Sequence, residues 1–379
     1  SGLLKEELRA LGSVIMRCAD AARVPAGQAL AVDRALFGAR VTEEVESAPG
    51  IEIVREEARR IPDEGIVIIA TGPLTSPALA ADIARFLGDE HLHFFDAIAP
   101  SVEYDSIDQS KVFRQSRYDK GEAAYINCPM TREEYEAFID ALLEAKIAHL
   151  HLEEERVAGD PSTGSGCGRA YFEGCMPVEE IARRGRDTLA HGTMKPVGLT
   201  DPHTGRRPHA VVQLRQENTE GSVYGLVGFQ TQLRQSEQER VFRMIPGLEH
   251  AEFVRYGVMH RNTFLPSPKL LTFDYQAKSV PGLFFAGQMT GVEGYVESAS
   301  SGFVAAIGMD RYLRGLSPLD FTAKTAIGSL GHYVAEYAGD DFQPMNVTFG
   351  IMDPPQKRIR NKRERYAVLA ERALGIINE

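Results

Sequence analysis

The 379-residue sequence predicts an α/β fold that carries an inserted α+β domain. Three observations predict it. The continuous apolar run Ile66-Val67-Ile68-Ile69-Ala70 reads as a strand covered on both faces, as in a parallel sheet. A second apolar run, Leu283-Phe284-Phe285-Ala286, leads into glycines at 287, 291 and 294 and then into a small-residue helical pattern. Between residues 100 and 250 charged and aromatic residues rise and loops lengthen, which marks a different domain.

In chain order, Leu3, Leu4, Leu8, Leu11, Val14, Ile15 and Cys18 fall at helical spacing, so residues 3–22 read as one helix. Ile51-Glu52-Ile53-Val54 and residues 66–70 read as strands, the second ended sharply by Thr71-Gly72-Pro73, and residues 78–87 read as a helix. This alternation is the pattern of an α/β layer architecture. Residues 131–146 read as a helix, with Thr131 as N-cap and Glu134 in capping-box position. The Gly- and Ser-rich stretch 159–168 reads as a flexible insertion. The first domain resumes near Tyr256 and Arg261, and residues 366–376 form a last helical pattern. The expected domains are 1–99, 100–250 and 251–379, the last ending in a basic helix.

Composition narrows the function. Hydrophobic residues make up 43% and charged residues 25%, the balance of a globular chain. No apolar run approaches the roughly 18 residues that span a bilayer. The N-terminal pattern is an amphipathic helix rather than a signal peptide, so the cytoplasm is the default location. The net charge of −11 argues against indiscriminate nucleic-acid binding. It leaves room for a local basic face at Lys357-Arg358-Ile359-Arg360-Asn361-Lys362-Arg363-Glu364-Arg365, which reads either as a solvated helix end or as a phosphate-contacting patch. Arg183, Arg184, Arg186, Arg206 and Arg207 are further basic groups. Cys18, Cys128, Cys167 and Cys175 are too few for a disulfide scaffold and lack paired C-x-x-C spacing. His191, His203 and His332 give no ligand pattern, so no metal is expected.

Strand, glycine turn and helix N-terminus together hold a phosphate-bearing cofactor, because free N–H groups and the helix dipole face the anion. Tight helix–strand packing is the alternative reading of the same turn. Cys175 precedes a helical pattern, and a cysteine at a helix N-terminus has its thiolate favoured. Arg183, Arg184 and Lys195 add positive charge nearby in sequence. Arg117, Tyr118 and Lys120, and likewise His260, Arg261 and Asn262, form polar clusters. They serve either capping and loop hydrogen bonding or contact with a ligand.

The string Phe285-Ala286-Gly287-Gln288-Met289-Thr290-Gly291-Val292-Glu293-Gly294-Tyr295-Val296-Glu297-Ser298-Ala299 resembles the C-terminal flavin motif of the folate- and FAD-dependent tRNA (uracil-5-)-methyltransferases of bacteria. Further strings agree in order along the whole chain. Among them are Ala70-Thr71-Gly72-Pro73-Leu74-Thr75-Ser76, Ser116-Arg117-Tyr118-Asp119-Lys120-Gly121, Phe172-Glu173-Gly174-Cys175-Met176-Pro177, Met194-Lys195-Pro196-Val197-Gly198-Leu199 and Gln343-Pro344-Met345-Asn346-Val347.

The resemblance implies a Rossmann-like FAD-binding domain. Gly287, Gln288, Gly291, Glu293 and Gly294 would line the flavin, and Ala70, Thr71 and Gly72 would lie near the FAD ribose or pyrophosphate. Tyr295 would lie against the isoalloxazine ring, and Cys175 would be the functional thiol. It implies methylenetetrahydrofolate as carbon donor, NADPH or NADH as reductant, and the T-arm uridine at tRNA position 54 as substrate, giving 5-methyluridine. The chemical need is plain. C5 of uracil is a poor nucleophile; a thiolate adding at C6 makes it one, and a base must later remove the C5 proton. Arg117, Lys120, Lys195 and Arg261, with Lys357, Arg358 and Lys362 of the basic cluster, are the candidate substrate contacts. No obligate protein partner is implied.

One departure stands out. Family members begin with a strand, a G-x-G-x-x-G turn and a Cys-Ser-Asn-Ser segment carrying a second functional cysteine. This sequence opens at Ser1-Gly2-Leu3-Leu4-Lys5 and has neither, so the nucleotide-binding domain is expected to be incomplete at its N-terminus and the chain inactive or nearly so. The competing readings are a truncated non-catalytic tRNA-binding remnant, a GidA-type wobble-uridine enzyme, and an ordinary flavin oxidoreductase. The Cys175 string and the early end disfavour the GidA type. The basic cluster and Cys175 disfavour the oxidoreductase.

Overall fold

Gly12, at φ +72°, breaks the first expected helix in two. Gly2–Ala10 and Val14–Ala21 form instead, and Ser13 Oγ accepts from the Met16 amide at 3.4 Å to restart the second. The helical spacing of the apolar residues runs through this break, which is why periodicity alone misses it. The computed structural model describes residues 2–27, 29–88, 92–119, 122–148, 176–339 and 342–379, except the side chains of 92–97 and 260–263. The stretch 159–168 and Cys175 lie outside the described residues, as does Lys120.

The chain forms two units. One comprises residues 1–18, 43–94 and 261–379; the other comprises 19–42 and 95–260. Composition alone groups residues 19–42 with the first domain, yet they belong to the second unit. There Asp33 Oδ2 accepts from the Thr219 amide and hydroxyl at 2.9 and 3.0 Å, and the Tyr125 hydroxyl donates to Ala26 O at 3.3 Å.

In the first unit Val67–Ile69 and Leu283–Phe285 pair in parallel, with Val67 opposite Leu283 and Ile69 opposite Phe285. Leu283, Phe284 and Phe285 are buried, as a covered strand requires. Helix Tyr295–Leu313 follows the second strand and packs closely, since a β-carbon on Gly308 would lie 3.0 Å from the Phe284 ring. Helix Pro77–Leu87 is fixed at both ends, by Ser76 as N-cap with proline behind it and by Gly88 in the left-handed region. Helix Ala326–Glu336 is capped by Thr325, and two more of its orphan amides, those of Ala326 and Ile327, donate to the buried Glu7 carboxylate at 2.8 Å each. Helix Gly2–Ala10 also packs on helix Lys362–Asn378. Residues 51–54 form no strand. No described strand pairs with them, and Ile51 and Val54 are exposed despite their β-branched chemistry.

The second unit is a six-stranded antiparallel sheet in the order Phe253–Arg255, Ser101–Glu103, Val223–Leu226, Ala210–Gln216, Tyr125–Met130 and Phe113–Arg114. Helix Arg132–Glu144 covers it, with the expected capping box between Thr131 and Glu134. Its Tyr135, Phe138, Ile139 and Leu142 join the sheet residues in one core, each burial contributing roughly 1.5–3 kcal/mol. The architecture is thus an α/β unit interrupted by an α+β unit.

Candidate functional site

The site is built where the two parallel strands end. Ala286 still donates to Ile69 O at 2.9 Å, and then the chain turns. Gly287 has φ +83° and ψ −165°, a conformation essentially reserved for glycine. A β-carbon there would meet nothing within 4 Å, so the backbone borders open space. The Gly287 amide donates to Ser301 Oγ at 2.7 Å, and Thr290 Oγ1 donates to Gly287 O at 2.9 Å. The short 3-10 turn Gln288–Thr290 closes at Gly291, φ +86°, where a β-carbon would lie 2.4 Å from the Phe342 ring.

The turn is backed by a second stretch of chain. Met345 donates to Gly291 O at 3.0 Å, Glu293 donates to Met345 O at 2.9 Å, and Asn346 Nδ2 donates to Glu293 O at 2.7 Å. The strings around Gly287 and Met345, far apart in sequence, are therefore two sides of one structure. Gln288 Nε2 also donates to Glu293 Oε2 at 2.6 Å. The buried Glu297 accepts from the Val347 amide at 3.3 Å.

Helix Tyr295–Leu313 starts at Gly294, φ +110°, with no side-chain cap. The first-turn amides of a helix lack intrahelical partners, and here no N-cap side chain accepts from them. The Glu297 carboxylate folds back over Gly294, since a β-carbon there would lie 2.4 Å from Glu297 Oε2. One negative charge already sits at this helix end. Tyr295, the first helical residue, is 96% exposed, an unusual position for so large an aromatic.

Thr71 sits at the end of the neighbouring strand. Its Oγ1 is 2.7 Å from Thr75 Oγ1 and 3.9 Å from Met289 Sδ. Gly72 has φ +72° and, like Gly287, open space where a β-carbon would be. Ala70, Thr71, Gly72, Gly287, Gln288, Gly291, Glu293, Gly294 and Tyr295 therefore converge at the carboxyl ends of two parallel strands, the crevice in which open α/β sheets bind ligands. Sequence reasoning had no means of finding Ser301 and Thr290, which lock Gly287. Both are ordinary helix and turn residues until the fold places them.

The other expected residues lie elsewhere. Arg117 and Lys195 belong to the second unit. Arg117 Nη1 donates to the carbonyls of Lys195 and Val197 at 2.8 and 2.9 Å, and its Nε and Nη2 donate to Gln213 Oε1. Burial pushes its pKa down. The guanidinium anchors a loop; Lys195 itself is exposed. Arg261 sits in strand Met259–Phe264, and its side chain is outside the described set. Lys357, Arg358 and Lys362 are exposed at and before the start of helix Lys362–Asn378. There Tyr366 stacks on Phe349 at 4.3 Å, with Lys362 and Arg365 at 5.5 and 5.6 Å from its ring. Cys18 and Cys128 are buried, and burial pushes the Cys128 thiol up, so neither is a nucleophile. Among the described residues no cluster suits a metal ion, and no helix is long and apolar enough to cross a membrane.

Comparison with known proteins agrees with this geometry. The profile of the family described as glucose inhibited division protein A matches residues 1–317. The methylenetetrahydrofolate-tRNA-(uracil-5-)-methyltransferase TrmFO of Pelotomaculum thermopropionicum is 57% identical over 377 residues, covering 100% of this chain and 83% of its own length. The protein of the same name from Lactiplantibacillus plantarum is 53% identical over 375 residues, covering 99% and 82%. The fold matches Aquifex aeolicus GidA with a TM-score of 0.68 at 16% identity; the match covers 99% of this chain and 63% of the GidA chain. The chain therefore belongs to the glucose inhibited division protein A family and, within it, groups with the TrmFO tRNA (uracil-5-)-methyltransferases.

Proposed function

We infer that this protein is a folate- and FAD-dependent tRNA (uracil-5-)-methyltransferase. The structural observation that carries the reading is the open glycine-lined crevice at Gly287, beside the uncapped start of helix Tyr295–Leu313. Its donors fit a flavin. Amides with no side-chain acceptor suit the carbonyl edge of the ring, and the Glu297 carboxylate alongside disfavours a second full anion at that spot. A β-carbon on Gly287 or Gly72 would meet nothing within 4 Å, so a ligand can approach both backbones. When bound, FAD supplies the hydride that turns the folate one-carbon unit into a methyl group.

The remaining chemistry falls to the chain. The Cys175 thiolate adds to C6 of the uracil, C5 takes the carbon, a base removes the C5 proton, and the C6–S bond breaks. Tyr295, exposed at the mouth of the crevice, covers the flavin or the folate. We assign the reductant as NADPH or NADH, the location as cytoplasmic, and the target as the T-arm uridine at position 54, with no obligate protein partner. Lys357, Arg358 and Lys362 support tRNA binding by their placement. Cations at a helix N-terminus are disfavoured by the dipole, so the fold does not reward them there, whereas an RNA phosphate would.

The test is methyl incorporation into unmodified tRNA by the protein carrying the family's N-terminal G-x-G-x-x-G and Cys-Ser-Asn-Ser segments, supplied with FAD, methylenetetrahydrofolate and NADPH. Retained flavin with methyl transfer that disappears in Cys175→Ala is the expected result. Absence of both bound flavin and methylation would overturn the reading, and wild-type transfer by Cys175→Ala would remove the thiol from it.

A further inference from the structure

The C-terminal basic cluster is pinned at both of its ends. At one end Arg372 Nη1 donates to Pro354 O at 3.1 Å, and its Nη2 donates to Asp353 O at 2.7 Å. At the other, Asn361 Oδ1 accepts from the amides of Arg363 and Glu364 at 2.9 and 3.4 Å and caps helix Lys362–Asn378. Arg372 lies about 16 Å along that helix from Asn361. The segment from Pro354 to Asn361 therefore runs back from the middle of the helix to its start. It carries Lys357, Arg358 and Arg360, and the first turn of the helix adds Lys362, Arg363 and Arg365. Chain length and helical rise keep all six α-carbons within about 20 Å of one another.

Residues 354–366 hold a single carboxylate, Glu364, in a chain whose net charge is −11. Lys357, Arg358, Arg360, Lys362 and Arg363 are exposed, and Arg365 is half-buried. Among the described residues no ion pair engages any of the six. Other exposed cations of the chain take carboxylate partners, as Arg17 does with Glu44, Arg132 with Glu136 and Arg314 with Asp310. Mutual repulsion and the helix dipole both oppose the cluster, and a polyanion would relieve both.

The patch offers charge without a means of reading bases. Its aromatic ring, Tyr366, is half-buried and stacked on Phe349, with centroids 4.3 Å apart and planes at 21°. Lys362 and Arg365 lie over the same ring at 5.5 and 5.6 Å. The Arg363 and Glu364 amides are taken by Asn361. What is left for a ligand is a field of guanidinium and ammonium groups.

We propose that this patch holds a base-paired arm of the RNA substrate by its phosphates alone, without reading sequence, and that Arg360, Arg363 and Arg365 act there beside Lys357, Arg358 and Lys362. A double helix presents on the order of one phosphate charge per 2 Å of axis, so the face it turns to about 20 Å of protein matches six cations. A single strand has about half that density, and its bases would find the Tyr366 ring already stacked. This inference rests on the tRNA-modifying function proposed above and names the part of the RNA that these cations hold.

The experiment measures binding of the full chain to a tRNA transcript, to an RNA hairpin stem and to a single strand with the same number of phosphates, each over a range of salt. The stem should bind more tightly than the single strand, and exchanging its base pairs should leave affinity unchanged. Arg358→Ala, Arg360→Ala and Arg363→Ala should each reduce the salt slope by about one, and the triple variant should bind tRNA about ten- to hundredfold more weakly at 0.15 M salt. Thermal melting should be unchanged in all of them. Arg363→Lys should bind as wild type, because a phosphate needs only the charge whereas a guanine edge needs the guanidinium fork. A preference for the single strand, dependence on base-pair sequence or lost affinity in Arg363→Lys would overturn the proposal. So would phosphatidylserine vesicles bound as tightly as the stem. Unaltered salt slopes in the variants, with tRNA still bound, would overturn the patch and leave the methyltransferase reading standing. No tRNA binding by the wild-type chain would overturn both.

Discussion

Gln288 and Glu293 join the two ends of the glycine turn through one short hydrogen bond of 2.6 Å. Glu293 is only 8% exposed, so the bond is made where water is scarce. Gln288→Leu leaves a buried carboxylate short of a donor, which costs roughly 1–3 kcal/mol. The expected outcome is a lower denaturation midpoint together with lost flavin. A midpoint equal to wild type would show that the bond holds nothing in place.

Gly287 and Gly291 answer differently to the same added methyl group. Gly287→Ala meets open space, so it strains only the backbone, by roughly 1–3 kcal/mol, yet it fills the crevice. It should stay folded and lose flavin. Gly291→Ala drives its β-carbon into Phe342 and should destabilise by at least about 2 kcal/mol. Flavin absorbance per protein and thermal melting separate the two effects.

Tyr295 contributes almost nothing to stability at 96% exposure. Tyr295→Ala is expected to melt within about 0.5 kcal/mol of wild type while methyl transfer falls at least tenfold. Equal activity would make the residue a bystander at the crevice mouth.

His332 lies between two carboxylates, with Nε2 2.9 Å from Asp320 Oδ1 and Nδ1 3.0 Å from Glu336 Oε1. Burial lowers its pKa, but the two carboxylates outweigh burial and the net direction is up from 6.5. A raised folded pKa means that the native state binds the proton more tightly. The stabilisation is complete below pH 6.5 and is lost as pH rises through the folded value. His332→Gln should therefore melt lower than wild type below pH 6.5, by about half a kcal/mol for so exposed a triad, with the gap closing as pH rises. A gap that is constant with pH would mean that stacking on Phe273 matters more than charge.

Local chemistry made much of this legible. Leu283–Phe285 announces itself by apolar continuity, the Thr131 capping box by spacing, and the turn at 287–294 by glycines that nothing else can replace. What stayed hidden depends on distant partners. Ile51 and Val54 have strand chemistry but lack a neighbour to pair with among the described residues. Residues 19–42 join the second unit through Asp33 and Thr219, a contact no window of sequence contains. Arg117 reads either as a loop anchor or as a substrate contact, and the fold shows the loop hydrogen bonds, with carbonyls occupying the guanidinium.

Glu7 closes helix Ala326–Glu336 from more than 300 positions away in sequence. As the chain leaves the ribosome, that carboxylate must wait, hydrated, while the whole inserted unit emerges and folds. The glycine turn at 287–294, backed by Met345 and Asn346, cannot be finished until the C-terminal third of the chain arrives. Shortage of cofactor or a stalled ribosome would therefore strike the first unit and leave the second already folded.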